Sequence, residues 1–435
     1  MVASTVNWTG DVLSVDLGEA AHGGVCVARH EGRVVFVRYG IPGERVRALV
    51  TEDNGGAFCF AEAIDIIDPA PGRSDSLCPV SGPGGAGCCD FAHMESSLQR
   101  KIKSGVVAGQ LRRIAHIDAE IAVEPLEPDP DVPLAAGWRT RVRLGVDSAG
   151  AAGVRRLRSN DLVKDPNCAQ PVPGLLAGVA DRTWTPGAEL YIATDGCGDR
   201  HITEVEPVKE SGARGRTRSG DPAQRRRAAA ARRAKQAHQR GMRVVEGSDR
   251  AVEFVRGRRF SVAAASFWQA HIHAPERYSA VVGELAALRP GQHAWDLYSG
   301  AGVFAAVLGD QVGPGGTVAA VEAAPAAVRD GAAALADIPQ VTFHQGPTER
   351  VLDRVVTTSP DVVVLDPPRT GAGRGVIAKV AAASPQRIIH IGCDPAAFAR
   401  DCALYAGAGY SLSVLRAFDA FPLTHHVECI GMFVK

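Results

Sequence analysis

The sequence predicts an α/β protein: a Rossmann-like parallel sheet in its C-terminal part, preceded by a small β-barrel and a mainly β central region. Three observations predict it. From about Val6 to Asp68, short runs rich in Val, Ile and Phe are broken by Gly and Pro, as in strands wound into a small barrel. Strand-like runs return from Gly137 to Pro207, with hairpin signals at Asp147-Ser148 and Asp195-Gly196. From about Phe267 onward, short apolar strands alternate with Ala-rich helical stretches, an order that builds a parallel sheet covered by helices on both faces. A chain of 435 residues exceeds what one hydrophobic core organises, and we divide it at 5–68, 69–265 and 266–435.

In the first region, GGVCVARHEGRVVFVRYGIPGERVRALV supplies strand-length apolar runs with turn signals at Glu31-Gly32 and Pro42-Gly43. The following stretch, DPAPGRSDSLCPVSGPGGAGCCDF, is too dense in Gly and Pro for a regular helix or a central strand. From Met94 to His116 apolar residues recur at helical intervals. A basic, low-complexity segment at 211–243 offers few residues to a core; it reads either as a solvated linker or as an arm attracted to phosphate backbones. In the last region AWDLYSG, TVAAVEA, QVTFHQG, DVVVLDPP and RIIHIGCDP are short apolar strands, each entering a turn. Ligands of such sheets bind at the carboxyl ends of the strands.

Composition narrows the classes. Hydrophobic content of 46% with 22% charged residues is ordinary for globular protein, and no stretch reaches the roughly 20 apolar residues of a membrane helix. The N-terminus lacks the basic-then-apolar order of a secretion signal, so a cytoplasmic location without membrane partners is expected. Ten cysteines in that compartment point to metal binding or catalysis rather than to a disulfide framework. The zero net charge argues against a uniformly basic surface.

DLYSGAG places Asp296 at a strand end and Gly300 and Gly302 in the loop that follows, where small residues let backbone approach a ligand. The next strand ends in Glu322, near the spacing of a carboxylate that accepts hydrogen bonds from ribose hydroxyls. A dinucleotide and S-adenosylmethionine both fit that pairing. Absence of the third glycine, with Val303-Phe304 in its place, and the strand end Asp366-Pro367-Pro368 favour S-adenosylmethionine, which carries no phosphate. Cys393 follows an apolar strand in a turn made by Gly392 and Asp394-Pro395; it reads as a thiol aimed at the catalytic crevice, or as a buried core cysteine. The final segment, AFDAFPLTHHVECIGMFVK, carries Glu428 in its apolar strand.

Together these residues resemble the RNA 5-methyluridine (uracil-C5) methyltransferase family, class I enzymes dependent on S-adenosylmethionine. SFWQAHIHAPE looks like the family's Phe-x-Gln segment, DLYSGAGVF its cofactor loop, DPPRTG its aspartate-proline loop, IGCDPAAFARD its nucleophile motif and FPLTHHVE its final motif. GGVCVAR, VVFVRYGIPGERV and EAIDIIDP resemble a TRAM domain, an OB-like RNA-binding barrel. The resemblance covers nearly the whole chain. It implies Cys393 as nucleophile, Glu428 as proton-abstracting base, and Gln269, Tyr298, Gly300, Gly302, Glu322 and Asp366 around the cofactor or target base. It also implies structured RNA, ribosomal or transfer, as substrate, and a monomer. Val303 and Pro347 stand where the family often has Asn.

Many members hold a [4Fe-4S] cluster with a C-P-x4-C-G-G-C pattern and one distant cysteine. Here Cys78-Pro79, Cys89 and Cys168 match, Ala86 occupies the middle position, and Cys88 sits beside Cys89. The resemblance therefore implies Cys78, Cys88, Cys89 and Cys168 as a four-thiolate set; a four-cysteine zinc site lacks its usual paired spacing, and a region without metal stays open. Two other functions stay open on sequence: amino-group methylation of adenine, which Asp-Pro-Pro loops also serve, and an RNA-binding protein that has lost turnover.

Overall fold

The computed structural model describes residues 6–126, 135–157, 159–165, 167–207, 241–355 and 359–435. Apart from its last three residues, the basic segment at 211–243 lies outside them.

The N-terminal strands form one six-stranded sheet in the order Val12–Asp16, Arg45–Asp53, Phe58–Asp68, Arg33–Arg38, Val25–His30, Ala20–Ala21. Alternation along each strand decides which face is inward: Val35, Val37, Val46 and Ala48 are fully buried, while their neighbours face out. Glu31 and Gly32, at φ +46° and +80°, make the two-residue turn that pairs His30 with Arg33. Positive φ at both central positions gives a turn the right-handed twist of its strands.

The central sheet is antiparallel, ordered Leu162–Val163, Ala152–Arg155, Arg141–Val146, Glu189–Thr194, Arg200–Val205, Met242–Glu246. Its expected hairpins occur where the turn chemistry put them. Asp147 Oδ1 accepts the amides of Ala149 and Ala151, and Asp195 Oδ1 those of Cys197 and Asp199.

The C-terminal sheet has eight strands: Val341–Gln345, Thr317–Glu322, His293–Leu297, Val362–Leu365, Arg387–Gly392, Glu428–Val434, Ser411–Phe418 and Val123–Glu124. The first five run parallel, and Glu428–Val434 is inserted antiparallel to both of its neighbours. Val362–Leu365 is buried on both faces: Val362 and Val364 join the core on one side, Val363 and Leu365 the core on the other. Each such side chain contributes about 1.5–3 kcal/mol by leaving water. Helices Ala274–Ala286, Val303–Val312, Pro325–Ala334, Thr348–Val355, Gly373–Ala382 and Pro395–Gly407 complete the α/β layers.

Three elements outside 266–435 pack into this sheet. Ser96–Gln110, within the stretch of helical periodicity, continues as a π-helical turn, Leu111–Ala115, and ends on His116 in the left-handed region. Its Val107 and Leu111 share a core with Trp295 and Tyr405. Val123–Glu124 forms the sheet edge. The hairpin Arg250–Val255 and Arg258–Ala263 contributes Ala251, Val255, Phe260 and Val262 to the opposite core. Among the described residues no helix is long and apolar enough to cross a membrane.

Candidate functional site

Strand order brings the sequence-predicted residues to one place. Gln269, Tyr298, Gly300, Glu322, Asp366, Cys393 and Glu428 line a single cavity of about 630 Å³ at the carboxyl ends of the parallel strands. Gly302 does not line it. A Cβ there would approach Phe343 Cζ to 2.7 Å, so this glycine lets the loop cross an aromatic ring. Of the two positions where the family often has Asn, Val303 lines the cavity and Pro347 does not; the Pro347 carbonyl accepts the amides of Arg350 and Val351 at the start of a helix.

One end of the cavity is built by the loop after His293–Leu297. Glu322 is held by two amides, Gly300 N to Oε2 at 3.0 Å and Ala324 N to Oε1 at 2.7 Å. Tyr298 adopts φ +64°, a conformation costly for a bulky residue, and burial pushes its hydroxyl up to about 12. Beneath the loop, Asp296 is fully buried with Oδ2 accepting Ala305 N at 2.8 Å. Burial pushes its carboxyl up to about 8.

The other end joins nucleophile and base candidates through register. Gly392 pairs with Cys429 across the antiparallel ladder, so the next residues outward, Cys393 and Glu428, meet at the mouth of the same two strands. Asp394 caps the helix after Cys393, its Oδ1 accepting Ala397 N at 2.8 Å, and Pro395 follows at the first helical position. Burial pushes the Cys393 thiol up to about 12; Glu428 raises it further and Arg369 opposes both. Burial likewise carries Glu428 well above the usual carboxylate range, reinforced by Asp366 and opposed by Arg369. Glu428 Oε1 is buried without a hydrogen-bond partner among the described residues. Asp366, pushed up to about 7 by burial, accepts Gln269 Nε2 at 3.3 Å.

Residues 419–427, which carry Glu428 into place, are tied down by the segment 90–103. Lys103 Nζ reaches Asp419 Oδ1 at 2.5 Å and the Phe421 carbonyl at 3.1 Å. Gln99 Oε1 accepts Leu423 N, and Asp90 Oδ1 accepts His425 N. Lys103 is almost fully buried, and removing one partner of such an ion pair costs about 3–5 kcal/mol. None of these ties was legible in sequence, because partners more than 300 positions apart leave no local pattern. Arg139 and the exposed Phe267 also line the cavity. Phe267 lay within a quoted motif, whereas Arg139 carried no signal.

The four predicted cluster cysteines also come together. Cys78, Cys88, Cys89 and Cys168 lie close enough to perturb one another, and Cys89 accepts Gln170 Nε2 at 3.2 Å. Hydrogen bonds from Cys168 and Cys89 hold the Cys78 thiol far below its usual range, while Cys89, bonded to all three others, is pushed far above it. Ala86 is fully buried beside Cys78 and Cys89, its amide bonded to the Val80 carbonyl, so the third thiol of the segment comes from Cys88. Cys88 and Cys168 border a separate cavity of about 490 Å³ with Arg139 and Gln170. Among the described residues no group of three or more His, Cys, Asp or Glu could hold a metal ion.

The tRNA (uracil-5-)-methyltransferase family model matches residues 352–435, which span the Asp-Pro-Pro loop, Cys393 and Glu428. An uncharacterized RNA methyltransferase of Corynebacterium glutamicum is 41% identical over 98% of this chain and 97% of its own length. One from Streptomyces avermitilis is 39% identical over 97% and 98%. Among solved structures, the Pyrococcus abyssi tRNA (uracil-54, C5)-methyltransferase in complex with S-adenosyl-L-homocysteine superposes with a TM-score of 0.66 at 16% identity. That likeness, over 97% of this chain and 100% of the other, is one of fold.

Proposed function

Because the chain belongs to the S-adenosylmethionine-dependent RNA (uracil-5-)-methyltransferase family, we propose that it methylates carbon 5 of a uridine in structured RNA through a covalent adduct on Cys393. The observation that carries the reading is the meeting of Cys393, Glu428 and Asp366 around one cavity. Bound S-adenosylmethionine supplies an electrophilic methyl group. The Gly300 amide and the locked Glu322 carboxylate offer a fixed polar wall for its ribose, and the 630 Å³ cavity has room for both it and a base. Gly302 serves this wall by packing.

Uracil carbon 5 is a weak nucleophile. Once the Cys393 thiol has lost its proton to solvent, addition of the thiolate to carbon 6 forms a C–S bond and moves the π pair into an enolate, making carbon 5 electron-rich. Carbon 5 then bonds to the methyl carbon, whose former bonding pair leaves with the sulfide. The Glu428 carboxylate takes the carbon 5 proton; the C–H pair restores the double bond as the C–S bond breaks and the thiolate leaves. A base whose basicity is raised by burial suits removal of a carbon-bound proton. The target uridine must leave its stack to reach the buried Glu428, which favours a loop or an opened helix.

RNA containing 5-fluorouridine lacks the removable proton, so with enzyme and methyl donor it should remain bound to Cys393. Absence of adduct on an RNA the enzyme demonstrably methylates, or an adduct that survives Cys393→Ala, would sink the proposal. The N-terminal sheet acts in this reading as a TRAM-type RNA-binding barrel. Cys78, Cys88, Cys89 and Cys168 would hold a [4Fe-4S] cluster that fastens residues 78–89 to the segment around Cys168, with no part in methyl transfer.

A further inference from the structure

The N-terminal sheet touches the nucleophile turn directly. Its hairpin between Ala20–Ala21 and Val25–His30 has a short tip, His22-Gly23-Gly24, with both glycines at positive φ. His22 Nε2 lies 3.3 Å from Asp394 Oδ2, the carboxylate of the residue after Cys393. Both side chains are about one-third exposed, 35% and 29%, so the contact sits at the rim of the site. Asp394 is thus gripped from two sides, its Oδ1 by the helix amide of Ala397 and its Oδ2 by His22. Burial draws this carboxyl upward, but the hydrogen bonds from His22 and Ala397 outweigh it and hold it down to about 2.

The same tip is seated with little freedom. A Cβ on Gly24 would come within 2.1 Å of Asp90 Oδ2 and 3.1 Å of His425 Cβ. Arg38, from the next strand of the sheet, donates to the Gly23 carbonyl and to Asp90 Oδ2, both at 2.9 Å. Asp90 Oδ2 in turn lies 2.5 Å from His425 Nδ1, three residues before Glu428. One hairpin therefore bears on the turn that carries Cys393 and on the segment that carries Glu428.

We infer that His22 is a positioning residue: its ion-pair contact with Asp394 fixes the Cys393 turn relative to the Glu428 segment, so that sulfur and carboxylate face the two ends of one C5–C6 bond. The inference rests on the uracil adduct reading for its consequence, but the mechanical link can be read without RNA. Misplacement of a reacting group by a fraction of an ångström lowers rate without lowering affinity.

His22→Ala should slow adduct formation on 5-fluorouridine RNA by about five- to tenfold at saturating RNA, leaving S-adenosylmethionine binding by calorimetry unchanged. His22→Gln keeps an N–H donor at similar reach and should recover to within about twofold of wild type. The double variant His22→Ala with Asp394→Ala should be no slower than Asp394→Ala alone. In the RNA-free protein, His22→Ala should speed amide hydrogen exchange at Cys393, Asp394, Ala396 and Ala397. If wild type forms no adduct, the uracil reading fails while the exchange measurement still decides the role of His22. Unchanged exchange, equal losses in Ala and Gln variants, multiplying losses in the double variant, or a defect confined to the RNA half-saturation constant would each overturn the inference.

Discussion

Cys393 is a half-buried thiol, and the Cys78–Cys88–Cys89–Cys168 group joins two buried thiols to two half-buried ones, yet the surroundings differ in kind. Around Cys393 the neighbours are a carboxyl pair and one guanidinium, and burial pushes its proton on rather than off. In the four-cysteine group the neighbours are one another, together with an amide from Gln170. In the proposed reading, the thiol beside Arg369 and Glu428 attacks, and the four thiols facing one another bind. The difference teaches that cysteine chemistry is set by the residue types within hydrogen-bond reach, and not by burial alone.

Substitution separates the two sites most sharply. Cys393→Ala should reduce methyl transfer by at least about a thousandfold with S-adenosylmethionine binding intact, measured by label incorporation into RNA and by calorimetry. Residual activity near wild type would place catalysis elsewhere and favour the amino-group chemistry. Glu428→Gln should lower turnover by about a hundredfold or more, but here the covalent RNA adduct should accumulate, because addition precedes proton removal. A gel showing less adduct than wild type would argue that Glu428 acts earlier.

Acidity gives the next effect. With the thiol pushed up to about 12, its thiolate fraction grows about tenfold per pH unit below that value, so single-turnover adduct formation should climb from pH 6 to pH 9. A flat profile would mean that RNA binding strips the proton. Cys88→Ala should abolish iron-dependent visible absorbance and lower the melting temperature while leaving the pH profile of Cys393 unchanged. Retention of a full complement of iron in that variant would remove Cys88 from the ligand set.

The smallest effect concerns Asp296. Its folded-state carboxyl is raised from 3.8 to about 8, so between those values the folded protein holds a proton that the unfolded chain has released. Stability contributed by this group is therefore present at low pH and lost as pH rises through the window. Asp296→Asn, which can still accept Ala305 N, should flatten that decline in thermal melts taken from pH 5 to pH 8.

Much of the C-terminal region was legible because its signals are local. Each of AWDLYSG, TVAAVEA, DVVVLDPP and RIIHIGCDP carries both its strand and its turn, and the parallel rule then gathers the strand ends. The Glu31-Gly32 turn was equally local, since it depends on two residues accepting positive φ. Gly302 shows the limit of such reasoning. A glycine in a cofactor loop suggests approach to a ligand, but the ring of Phe343, on another strand, is what it makes room for.

Sequence by itself determined the α/β class, the order of the strands along the chain and the family, because periodicity, turn residues and motif spacing are properties of contiguous residues. Tertiary structure alone decided the rest. It inserted Glu428–Val434 antiparallel beside Arg387–Gly392, which sets Glu428 against Cys393, and recruited Val123–Glu124 and the Arg250–Ala263 hairpin to the catalytic layers. It also brought His22, Asp90 and Lys103 to segments more than 300 positions away. Such contacts arise from packing and from the need to pair buried charge, and neither requirement leaves a mark within any short window of sequence.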